Sequence, residues 1–176
     1  DYHKAIFTHI QNSGPDKLPA TTAFSSVSVD NARLAADGSE TTTVSLRGVD
    51  FLANNTIISG QSIVFSTDLG TIGATTDNGD GTYSATYTSA TTLGTATISA
   101  TIAGASVDDI AIISLVPGAP AGTRSSMTVN DGSLLANGNT ATQVTVNLAD
   151  SAGNRISNGG DTVTLSSNLG SIGPVT

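Results

Sequence analysis

Fourteen carboxylates, two histidines and no cysteine set the limits of what this chain can do chemically. The densest cluster of oxygen donors is Asp77-Asn78-Gly79-Asp80-Gly81, where Asp77, Asp80 and the turn backbone are candidate ligands for Ca²⁺. An EF-hand loop places ligands at alternate positions and closes on a glutamate. Here glycines occupy ligand positions and no glutamate closes the loop. A plain hairpin turn, which favours Asp and Gly for conformational reasons, is the expected reading, with calcium as the alternative. Asp108-Asp109 and Asp30-Asn31 pose the same choice.

Catalysis finds little material. Both histidines, His3 and His9, precede the patterned part of the chain, away from any nucleophile motif. Glycoside chemistry needs a pair of carboxyl groups in contrasting environments, and Glu40 is the only glutamate. No catalytic residue, transition metal or cofactor is expected. Lys4 and Lys17 are the only lysines, so Lys–Asn isopeptide cross-links are excluded downstream of them. Net charge is −8 and the six cations are scattered singly. Nucleic-acid binding requires a clustered basic face, so that partner class is excluded. The longest apolar run, Ile110 to Val116, has seven residues and contains Ser114, short of the ~18 a membrane helix needs.

The elements that would position such residues are strands. Ser25–Asp30, Thr41–Arg47, Gln61–Ser66, Thr82–Ser89, Thr95–Ile102 and Ser106–Leu115 are runs rich in β-branched residues, separated by Gly/Asn/Asp clusters. Alternation is clean: Tyr83, Ala85 and Tyr87 share one face, and Ala96, Ile98, Ala100 and Ile102 share another. One wet and one buried face means antiparallel sheets. With no helical spacing anywhere, a sandwich of about seven strands is expected, its core holding Val44, Leu46, Ile63, Phe65, Tyr83, Tyr87, Ile98 and Ile102.

Residues 25–76 return as 125–176 without a gap, with seventeen of 52 positions identical. The repeat is a whole small domain rather than a solenoid unit, whose period runs about 20–50 residues. The expected organisation is an N-terminal linker or end of a preceding domain (1–22), a complete sandwich (23–116), a Pro/Gly linker (117–122) and the first half of a second sandwich (123–176). Two prolines in Val116-Pro117-Gly118-Ala119-Pro120-Ala121-Gly122 make that linker a semi-rigid spacer.

Asp80-Gly81-Thr82-Tyr83-Ser84-Ala85 resembles the tyrosine corner of immunoglobulin domains, with Ala85 where those carry cysteine. Tyr83, Asp80 and Gly81 are therefore expected to fasten the strand, with Phe65 and Ile98 as core anchors. Leu34-Ala35-Ala36-Asp37-Gly38-Ser39, Thr43–Leu46, Gly60–Ser66, Gly79–Tyr83 and Gly94–Ala100 together resemble the bacterial immunoglobulin-like repeat of the invasin/intimin adhesins. Leu148–Arg155 resembles that family's Asp-x-x-Gly-Asn turn; the first copy departs from it, since Asp50-Phe51-Leu52-Ala53-Asn54 lacks the glycine.

The resemblance covers about residues 23–176. It implies all-β, tandem immunoglobulin-like sandwiches in an extracellular protein, secreted or on the bacterial surface. The implied function is a non-catalytic stalk segment, with neighbouring immunoglobulin-like domains as partners and any host receptor bound through other domains. Two alternatives stand beside it. One is a subunit of a larger assembly (surface layer, filament or phage tail) completed by a partner's strands; the other is a carbohydrate- or receptor-binding module. The second copy as written lacks counterparts of residues 77–115, so it is expected not to fold alone but to need about 40 further residues or another polypeptide.

Overall fold

The structure, a computed structural model, describes residues 20–50 and 60–175. Residues 4–10, a run whose sequence could form a strand, both histidines and Asn54-Asn55-Thr56, which matches a glycosylation sequon, lie outside the described residues. Two compact units divide the chain between Val116 and Pro117.

Unit 1 carries strands β1 (Ser26–Val29), β2 (Arg33–Ala35), β3 (Thr41–Arg47), β4 (Ile63–Thr67), β5 (Thr71–Ile72), β6 (Thr76–Asp77), β7 (Thr82–Thr88), β8 (Gly94–Ile102), β9 (Ala105–Ser106) and β10 (Ala111–Val116). One sheet runs β1-β3-β7-β5 with β6 also on β7; the other runs β2-β10-β8-β4 with β9 also on β8. Among the described strands only β2 and β10 pair in parallel.

Period-two alternation builds both inward faces. Val44 and Leu46 on β3 lie opposite Ala85 and Tyr83 on β7. In the second sheet Phe65 lies opposite Ala100, Ile113 opposite Ala96 and Ala111 opposite Ile98. Most of these pairs set a large side chain against a small one. The buried cluster draws on both sheets and contains every core residue the alternation predicts.

One expected strand is broken. Ser106–Leu115 is not continuous: β9 ends at Ser106, and residues 107–110 leave the ladder before β10 begins. The cause is a set of tertiary bonds. Val107 N–H still follows the β8–β9 register to Ala100 C=O, but Asp108 N–H then goes to Thr22 C=O, and the Asp109 carboxylate takes the N–H of Val27 on β1 at 2.9 Å. Asp109 thereby ties one sheet to the other.

Unit 2 contains one regular ladder, β11 (Ser126–Val129) with β12 (Val144–Asn147). Its register repeats that of β1 and β3, every partner shifted by 100 positions.

Candidate functional site

Tyr83 and Tyr87 are buried side by side on β7. The Tyr83 hydroxyl accepts a hydrogen bond from Gln61 N–H at 3.1 Å, just ahead of β4. The described bond thus spans the two sheets. Tyr87 donates to Leu69 C=O at 2.9 Å and fixes the turn after β4. That approach leaves no room at Gly70: a Cβ there would lie 2.5 Å from the Tyr87 hydroxyl and 2.6 Å from Thr88 O, at a φ of +82°. Glycine is the residue that tolerates both constraints.

The two calcium candidates both accept hydrogen bonds from their own surroundings. Asp77 takes Gly79 N–H on one carboxylate oxygen and Gly60 N–H on the other. Asp80 Oδ1 accepts the Thr82 hydroxyl at 2.5 Å and the Thr82 N–H at 3.0 Å, and these bonds hold its carboxyl below the ordinary carboxylate range. Gly81, at φ +82°, offers its carbonyl to Gly48 N–H. Asp77, Asp80 and Gly81 together therefore shape the turn leading into β7. Phe65 and Ile98 sit in the core, as the alternation places them. Among the described residues no three His, Cys, Asp or Glu side chains gather as metal ligands.

A second constellation escaped the reading of motifs: the segment leading into each unit is held in the same way. In unit 1 Thr21 N–H donates to Val49 C=O at 2.7 Å, and Val49 N–H donates to Ser25 Oγ at 3.1 Å. In unit 2 Ala121 N–H donates to Ala149 C=O at 2.8 Å, and Ala149 N–H donates to Ser125 Oγ at 3.1 Å. Beside each latch lies a fully buried aspartate, Asp50 or Asp150.

Asp150 Oδ1 accepts Asn154 N–H at 2.8 Å, while Oδ2 accepts Asn154 Nδ2 and Gly118 N–H, both at 3.0 Å. Burial pushes this carboxyl up. Hydrogen bonds from Asn154, Gly118 and Ala152 outweigh burial and hold it below its ordinary value. A carboxylate that accepts several N–H donors stays ionised even out of water. The signal was present in the sequence, since Ser25/Ser125, Asp50/Asp150 and Asn54/Asn154 are all identities of the repeat.

The family model "Invasin, domain 3" matches residues 21–118 and again 121–176. The chain belongs to that family. Its structure resembles invasin, a bacterial integrin-binding protein, at 30% identity and a TM-score of 0.69, covering 80% of this chain and 29% of invasin. InvD of Yersinia pseudotuberculosis is 32% identical with a TM-score of 0.57, over 76% of this chain and 39% of InvD. The Escherichia coli adhesin FdeC is 25% identical with a TM-score of 0.62, over 76% of this chain and 43% of FdeC. The chain thus spans less than half the length of each of these adhesins. It is an immunoglobulin-like β-sandwich of the adhesin type. Among the described residues no helix is long and apolar enough to cross a membrane.

Proposed function

We propose that this chain is a non-catalytic spacer of a bacterial cell-surface adhesin, held outside the cell between an anchor and a binding domain. The observation that carries this reading is the repeated lead-in latch. Thr21–Val49–Ser25 and Ala121–Ala149–Ser125 grip the incoming chain by the same bonds in two successive units. A module gripped in the same way at every step adds a defined length per repeat. Its partners are the neighbouring immunoglobulin-like domains, and receptor recognition belongs to domains elsewhere. A net charge of −8 speaks against nucleic acid. No bound calcium is proposed, because Asp77 already accepts Gly79 and Gly60 N–H and Asp80 already accepts Thr82.

A sugar-binding module finds less support. Tyr83 and Tyr87 are buried, and Phe24 is the exposed aromatic among the described residues. The apolar side chains Leu134, Leu135 and Leu169 lie open on unit 2. They favour one further requirement, that strands equivalent to β7, β8 and β10 cover that unit in the working assembly, whichever polypeptide carries them.

The test is to display a receptor-binding domain on bacteria, with residues 20–175 inserted or deleted ahead of its outer-membrane anchor. Deletion is expected to weaken attachment to host cells, and an unrelated sandwich of equal length is expected to restore it. The purified chain is expected to bind no host cell and to turn over no glycan, ester or peptide. Attachment by the purified chain, lost on a point substitution in residues 23–176, would replace the spacer with a binding module.

A further inference from the structure

The first described segment of unit 1 and its last are bonded to each other at intervals, and in step. Asp108 N–H donates to Thr22 C=O at 3.2 Å, and Val27 N–H donates to the Asp109 carboxylate at 2.9 Å. Ser114 N–H donates to Ala32 C=O and Ala36 N–H donates to Val116 C=O, both at 2.8 Å. Between those two bonds Arg33, Leu34 and Ala35 pair with Ser114, Leu115 and Val116. Residue numbers rise together along both segments, from Thr22 with Asp108 to Ala36 with Val116. The two segments therefore run side by side in one direction.

That direction decides how the unit meets tension. The incoming chain joins one end of the paired segments, and the outgoing chain leaves from the other. A pull through both chain ends drives the segments past each other along their length. Ladder bonds lie across the strands, so such a pull loads them all at once and they must fail together. A pull on the same end of both strands would instead break them one at a time. Sliding is also opposed by packing. Leu34 and Leu115 lie opposite each other and are buried, and a slip of one residue would turn a strand's side chains to the opposite face. Asp109 adds a charge-assisted bond to β1, near the end where the pull enters.

We propose that residues 22–36 and 107–116 form a load-bearing clamp, built on Asp109 and the β2–β10 pair, that keeps unit 1 folded when the chain is pulled end to end. Forced unfolding follows the height of the unfolding barrier, not the equilibrium stability, and bonds that must break together raise that barrier. The inference rests on the spacer reading for its purpose, since a spacer between an anchor and a bound surface carries tension along the chain.

Single-molecule pulling on the 176-residue chain tests it. Cysteine is absent, so a pair of introduced cysteines sets the two points of pull. Ala23→Cys with Ala119→Cys, both at exposed positions, loads the segments in shear. Ser39→Cys with Ala119→Cys, exposed positions just beyond the ends of β2 and β10, peels one strand from the other. At one loading rate the unfolding force is expected to be at least about twofold higher in shear. Equal forces in the two directions would overturn the clamp.

Asp109→Ala in each pair sharpens the test. It is expected to lower the shear force and to leave the peeling force unchanged, because the Val27 bond is last in line when the strands are peeled from the far end. An equal fall in both directions would reduce Asp109 to a general contributor to stability and remove it from the clamp. Should Asp109→Ala fail to fold, the comparison of directions decides alone, since it alters none of the clamp's bonds. Equal forces in a chain that still restores attachment as a spacer remove the clamp alone. A higher shear force with no effect of length on attachment removes the spacer alone.

Discussion

Thr67 and Ser167 make the same turn, yet residues 63–67 and 163–167 do not make the same strand. Each hydroxyl donates to the carbonyl two residues on and accepts that residue's N–H. Asp37 and Asn137 likewise cap the same pair of N–H groups, at residues 39–40 and 139–140. The β1–β3 ladder recurs as β11–β12 in the same register. What does not recur is each strand whose partners lie solely in residues 77–116. Strand β2 pairs with β10, β4 with β8 and β5 with β7, and their counterparts in unit 2 are irregular.

Strand β3 shows this division within one element. Thr41–Thr43 pair in register only with β7, and residues 141–143 are not strand; Val44–Arg47 also pair with β1, and Val144–Asn147 are strand. Turns and neighbouring ladders are thus written into the 52-residue repeat itself. The sandwich depends on the residues that follow it in unit 1. Burial follows the same line: Val27 is 6% exposed and Met127 62%, Leu34 2% and Leu134 47%.

The largest difference between the units is expected in their cores. Phe65→Ala opens a cavity between the sheets and should cost unit 1 about 3–5 kcal/mol. Leu165→Ala, at the equivalent but only half-buried position, should cost less, about 1 kcal/mol. Urea unfolding followed by fluorescence of the buried Tyr83 and Tyr87 reports the first; amide exchange in β11–β12 reports the second. A loss below half a kilocalorie at Phe65 would mean the inward face of β4 is misassigned.

Next come the paired glycines. Gly70 and Gly170 both hold φ near +83°, but only Gly70 faces Tyr87 and Thr88; nothing lies within 4 Å of a Cβ at Gly170. Gly70→Ala should therefore cost about 2–4 kcal/mol, from crowding and left-handed strain together. Gly170→Ala should cost about 1–2 kcal/mol, from the strain alone. Equal losses by the same denaturation and exchange assays would show that the close approach of Tyr87 carries no weight.

The smallest expected effect is acid sensitivity. Glu40 N–H, followed by Ser39 N–H, holds Asp37 below the ordinary carboxylate value, and Thr97 N–H does the same for Asp68. A group whose folded pKa is depressed contributes fully above its unfolded value of about 3.9, and that contribution is lost as pH falls through the folded value. The repeat replaces these residues with Asn137 and Asn168, which do not titrate. Between about pH 4 and pH 2 the amide resonances of Ser39, Glu40 and Thr97 should shift, while those of Asn139 and Thr140 stay in place. Parallel movement in both units would contradict the assigned bonds.

Much of unit 1 was legible from alternation alone. Tyr83, Ala85, Tyr87 and Ala96 to Ile102 announce their buried faces because a strand's period is two wherever one face is wet. The short strands β2, β5, β6 and β9 were not legible. Two or three residues carry no period, and only their tertiary partners make them strands. The break at residues 107–110 escaped for a related reason, because a β-branched run reads as continuous until Asp109 is seen to hold Val27. Asp150 was read as part of a turn, and its burial was hidden. A lone Asp in a chain full of polar turns does not signal that the residue is only 1% exposed. Its identity with Asp50 across the repeat was the usable sign.

Residue-resolved amide exchange on the 176-residue chain, shown to be monomeric, tests most directly the claim that residues 77–116 decide which repeated segments become strands. Protection is expected throughout β3, β4, β7 and β8, and weakly in β11 and β12. Amides of residues 133–135 and 163–167 are expected to exchange near the rate of an unstructured chain. Protection of 163–167 equal to that of Ile63–Thr67 would show that half a sandwich forms its own sheet, and would contradict the account.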